Sequence, residues 1–92
     1  MTKKELIRAV AIDASLTQEE VRRVLDLSIT MILCTVGNGE NVVLGPLGTF
    51  ATMFRARRVY TLGRRTGTIF AHSVPKFKPT SEFKRMVKRR SL

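Results

Sequence analysis

The sequence predicts an α+β fold, and three observations carry that prediction. Thr2 with Glu5, and Thr17 with Glu20, have the Thr-x-x-Glu spacing of a helix start, each ahead of apolar residues three and four apart. Beyond residue 40 that spacing gives way to Val-, Thr- and Phe-rich stretches punctuated by Gly and Pro, as in short strands joined by turns. Charge segregates along the chain: five basic and six acidic residues up to Phe54 give −1, whereas twelve basic residues and the single acid Glu82 from Arg55 onward give +11. The first half suits a scaffold. The second repels itself unless a polyanion neutralises it.

The first helix is expected to begin after Thr2 and run to about Ala14, with Leu6, Ile7, Val10, Ala11 and Ala14 on one stripe. A second starts after Thr17, where Leu16 before the cap can pack on Val21. Its stripe of Val21, Val24, Leu25, Ser28, Ile32 and Val36 is widened by Leu27, Ile29, Met31 and Leu33 beyond what one short neighbouring helix could cover. Gly37-Asn38-Gly39 ends it, because Gly and Asn tolerate positive φ.

Strand-like Asn41-Val42-Val43-Leu44 and Thr49-Phe50-Ala51-Thr52-Met53-Phe54 flank Gly45-Pro46-Leu47-Gly48, a tight hairpin connection. Residues 55–61 still read as extended but have lost their apolar face, so they are expected to project into solvent. Residues 63–67 read as a turn and 68–74 as the returning strand, ended or bent by Pro75. Phe77, between Lys76 and Lys78, is the inward-facing candidate. Thr80 or Ser81 caps a last helix whose apolar edge is Phe83, Met86 and Val87.

These features exclude several function classes. The apolar run at 27–36 is too short and too interrupted to span a membrane, and the amphipathic opening does not resemble a secretory signal, so a cytoplasmic protein is expected. One His and one Cys cannot build a zinc site. His72 has no Ser, Cys or carboxylate partner at readable spacing, so it is expected to be an exposed or hydrogen-bonded strand residue; Cys34 reads as a small core hydrophobe in a chain that needs no disulfide. Asp13, Glu19, Glu20 and Asp26 read as surface partners of Arg22 and Arg23. No enzyme, cofactor, metal or small-molecule substrate is expected.

The blocks Thr2-Lys3-Lys4-Glu5-Leu6-Ile7, Leu16-Thr17, Gly45-Pro46-Leu47-Gly48-Thr49-Phe50, Arg55-Ala56-Arg57-Arg58, Thr66-Gly67 and Val74-Pro75-Lys76-Phe77-Lys78-Pro79 together resemble the bacterial histone-like HU and integration host factor family over nearly the whole chain. The resemblance implies an intertwined dimer: a helical base, a three-stranded antiparallel sheet, a protruding basic β-arm per chain that enters the DNA minor groove, and a short C-terminal helix. Residues 1–40 would form the helical dimerisation part, 41–79 the sheet and arm (the arm at about 55–70), and 80–92 the basic last helix. Leu25, Ile32, Leu47, Phe50 and Phe77 would lie in a core shared with an identical or related second chain.

Arg55, Arg57, Arg58, Arg64 and Arg65 are the arm candidates for DNA contact, with Arg55 and Arg58 at matching family positions. Lys3, Lys76, Lys78, Lys84 and Lys88 would meet phosphates beside the arm. The family's arm tip, R-N-P-x-T-G, carries a proline wedge that Leu62-Gly63-Arg64-Arg65-Thr66-Gly67 lacks. Either Leu62 replaces that wedge or the arm is an electrostatic clamp that binds without kinking. The function expected is a nucleoid-associated protein that bends and compacts double-stranded DNA with little sequence preference. The alternatives are a site-specific bender like integration host factor and a basic RNA- or ribosome-binding protein.

Overall fold

The computed structural model describes residues 1–90; Ser91 and Leu92, the end of the expected basic helix, lie outside the described residues. The chain divides into two compact units, residues 1–34 and residues 35 onward.

The first unit holds α1 (Lys3–Ala14) and most of α2 (Gln18–Gly37). Thr2 caps α1 by accepting the Glu5 N–H at 3.2 Å. At α2 the reciprocal box is complete, with the Thr17 hydroxyl accepting the Glu20 N–H at 3.1 Å and the Glu20 carboxylate accepting the Thr17 N–H at 3.2 Å. Glu20 therefore serves the helix cap, and the ion pair formed in this unit is Lys3 Nζ to Asp26 Oδ1 at 2.5 Å, not one with Arg22 or Arg23. Between the helices the chain turns at Ser15, a non-glycine residue at φ 56° whose N–H bonds to the end of α1. Ile7, Ala11 and Val21 form a small buried cluster with Leu25 packed against it. Leu16 and Val21 line one apolar groove with Leu6, Val10 and Val24, consistent with the expected staple.

Much of α2 remains uncovered by its own chain: Val24, Leu27, Met31 and Leu33 are all more than half exposed. Cys34 is exposed too, contrary to the expected core position. Cys34 lies on the widened apolar side of α2, which the described residues of the single chain leave uncovered.

The second unit contains β1 (Val42–Leu44), β2 (Gly48–Arg55), β3 (Arg58–Leu62), β4 (Arg65–Ile69), β5 (His72–Pro79) and α3 (Ser81–Arg90). β1, β2 and β5 make a three-stranded antiparallel sheet in that order, and β3 pairs with β4 in a separate two-stranded ribbon. Phe50 lies opposite Phe77, their ring centroids 4.9 Å apart, and Phe83 of α3 closes on Phe77 at 6.3 Å. Thr80 is the α3 cap: its hydroxyl accepts the Phe83 N–H at 3.2 Å and donates to the Pro46 carbonyl at 2.5 Å, tying the helix start to the β1–β2 turn.

Three details differ from the sequence expectation. The arm turn is only Gly63-Arg64, so the returning strand begins at Arg65 instead of residue 68. Gly63 has φ 61° and Arg64 does not share a positive φ, the pattern of a two-residue turn with Gly first. The extended run beyond Arg55 is interrupted at Ala56-Arg57, and the return is interrupted at Phe70-Ala71. β5 passes straight through Pro75 to Pro79, because β5 is an edge strand where a residue without an N–H is tolerated.

Candidate nucleic-acid interface

β2 and β5 hold Arg55 opposite His72; three residues further along each leg, Arg58 faces Ile69 in the ribbon. Equal interruptions on both legs leave the register unchanged from Gly48 and Pro79 out to the tip pair Leu62 and Arg65. Residues 48–79 are thus one long hairpin whose outer part is the arm. Every residue of β3 is exposed, and in β4 only Gly67 is partly covered. A ribbon with so little burial cannot be a packing element of its own chain.

The predicted cations divide by element. Arg55 ends β2, Arg57 lies in the interruption, Arg58 opens β3, Arg64 is in the tip turn and Arg65 opens β4; all five are exposed. Leu62 flanks the turn and is 71% exposed, which leaves its side chain free to meet a ligand. Lys76 and Lys78 are exposed on β5, opposite Ala51 and Thr49, on the other side of the strand from Phe77. Lys84 and Lys88 lie one turn apart on α3. Arg85 and Arg89 form a second exposed row on α3, a pairing the helical repeat could have disclosed and the site reading passed over. Lys3 belongs to the helical unit, where Asp26 engages its ammonium group, leaving the side chain half exposed.

Leu25 and Ile32 are half-buried, as is Phe50; Leu47 and Phe77 remain 43% and 37% exposed in the single chain. His72 is exposed and its Nδ1 lies 2.8 Å from the Phe70 carbonyl. Among the described residues no group of three or more His, Cys, Asp or Glu could hold a metal ion, and no helix is long and apolar enough to cross a membrane. What this surface presents is guanidinium and ammonium groups on an exposed two-stranded ribbon and on one helix.

Residues 1–88 match the family model described as bacterial DNA-binding protein. The chain is 38% identical over 90 residues to DNA-binding protein HU of Thermotoga maritima, across 96% of this chain and 100% of that protein. It is 37% identical over 93 residues to DNA-binding protein HU of Xylella fastidiosa, across 96% of each. A chain of an Anabaena HU–DNA cocrystal structure superposes with a TM-score of 0.88 at 31% identity, covering 95% of this chain and 97% of that one. For HU from Thermotoga maritima the TM-score is 0.70 at 30% identity, with coverage of 95% and 98%.

Proposed function

The chain belongs to the bacterial DNA-binding protein family, and from that premise we propose that it is a nucleoid-associated architectural protein that binds, bends and compacts duplex DNA with little reading of sequence. The observation that carries this reading is the exposed, arginine-bearing ribbon of residues 58–69, held out at constant register from a three-stranded sheet. Two-stranded ribbons fit a DNA groove, and minor-groove binding responds to width and deformability more than to base identity. Arg55, Arg57, Arg58, Arg64 and Arg65 neutralise phosphates along the arm. Lys76, Lys78, Lys84 and Lys88 do so beside it, and Lys3 does so once it exchanges Asp26 for a phosphate.

Two copies form the working unit. The uncovered apolar side of α2 and the half-exposed Leu47 and Phe77 support pairing, with Leu25, Ile32 and Phe50 completing the shared core. Pairing gives two arms per particle and lets a duplex be held at two points, which is what bending requires. Leu62, beside the tip turn, is the candidate for the side chain that enters and unstacks a base step, with clamping by the arm arginines as the alternative. The work is done in the cytoplasm on the nucleoid, and no bond is made or broken.

Gel shifts with linear duplex DNA, nicked duplex DNA and duplex RNA test the reading. It requires both DNA duplexes to bind at low salt and to outcompete RNA; preferential binding of RNA would replace it with an RNA-binding function.

A further inference from the structure

Cross-strand partners share a face of a β-ribbon and successive residues alternate, so the arm's register sorts its side chains. Arg58 faces Ile69, Tyr60 faces Gly67 and Leu62 faces Arg65, which puts Arg58, Tyr60, Leu62, Arg65 and Ile69 on one side. Val59 faces Thr68 and Thr61 faces Thr66, so the other side is uncharged and β-branched throughout. Both strand arginines of the arm therefore lie on the face that also carries its aromatic and larger apolar side chains. The Tyr60 ring lies across Gly67, where an added Cβ would overlap it, so the phenol is spread flat along that same face.

We propose that the paired strands of the arm, residues 58–62 and 65–69, meet DNA with this face alone, that Tyr60 and Ile69 are DNA-contacting residues in addition to the arginines, and that the threonine face of these strands stays outside the groove. The inference rests on the duplex-binding reading above and specifies its geometry. A polyanion is drawn to the side where Arg58 and Arg65 stand together. Tyr60 lies between those two cations and Ile69 and Leu62 sit directly across from them, and the three side chains offer apolar contact to the sugar walls of a minor groove. The opposite side offers a phosphate neither a charge nor a comparable surface.

Ile69 and Thr68 are neighbours on β4 at nearly the same height on the arm, and both are exposed. Ile69→Glu should weaken duplex binding about tenfold or more, and Thr68→Glu less than about threefold, since both add one negative charge but only the first faces phosphates. Ile69→Lys should bind at least as tightly as the parent, an outcome that damage to the fold cannot imitate. Tyr60 is the single tyrosine and the chain has no tryptophan, so intrinsic emission reports on Tyr60 alone. Saturating duplex should remove its quenching by acrylamide. In the double variant Tyr60→Phe with Thr61→Tyr, the phenol sits on the threonine face and should remain quenchable. Equal sensitivity of the two faces to Glu, or a Tyr60 that stays quenchable on DNA, would overturn the one-faced arm while salt-dependent binding by the parent left the function standing. A parent that binds no duplex would remove both.

Discussion

Gly48 opens β2 at φ 157°, and a side chain there would meet the Lys78 carbonyl and lie 2.7 Å from Cζ of Phe77. The glycine is what allows the Phe77 ring to lie over β2 and reach Phe50. Gly48→Ala should lower stability by about 1–3 kcal/mol through overpacking, measured as a reduced melting temperature. Leu62 poses a functional question at the same scale. If its side chain unstacks a base step, Leu62→Ala should reduce the DNA bend angle while leaving most of the salt-dependent affinity, because the phosphate contacts remain. An unchanged bend angle would assign the arm to clamping alone. At this scale the caps were legible in the sequence, because a Thr-x-x-Glu pair satisfies backbone N–H groups whatever surrounds it. Asp26 was not, because its partner Lys3 is on another helix and sequence spacing shows only neighbours within one.

The elements were legible wherever local chemistry decides them. Both long helices, the 42–44 strand and the last helix fall where periodicity, Gly and Thr placed them. The arm tip did not, because Thr66-Gly67 looks like a turn. Gly67 in fact lies inside β4 beneath Tyr60, and the reversal uses Gly63 instead. Pro75 misled in a similar way: a proline ends a strand that needs its N–H, and an edge strand need not. Thr80 shows an element held by one residue, since its hydroxyl both caps α3 and reaches Pro46. Thr80→Ser should be nearly neutral, whereas Thr80→Ala should cost about 1–2 kcal/mol in denaturant unfolding, the usual loss for a cap.

At the scale of the whole molecule, only Ile7, Ala11, Val21 and Ala51 are buried hydrophobics among the described residues. A 92-residue chain with so small a core of its own is marginal, and the wide apolar side of α2 had already signalled this in the sequence. What sequence could not supply was the register that sorts the arm into two faces, because register depends on where the turn is centred. If two copies share a core, the melting temperature should rise with protein concentration; a constant value across a hundredfold dilution would mean that one chain folds alone. The charge division was legible from the start, because a +11 half cannot be balanced from within. The most direct test of the account is therefore the dependence of duplex affinity on salt. With Arg58 and Arg65 of two chains on phosphates, log affinity should fall against log salt with a slope of about −4 or steeper. A slope near zero would contradict the claim that an exposed cationic ribbon holds DNA by its phosphates.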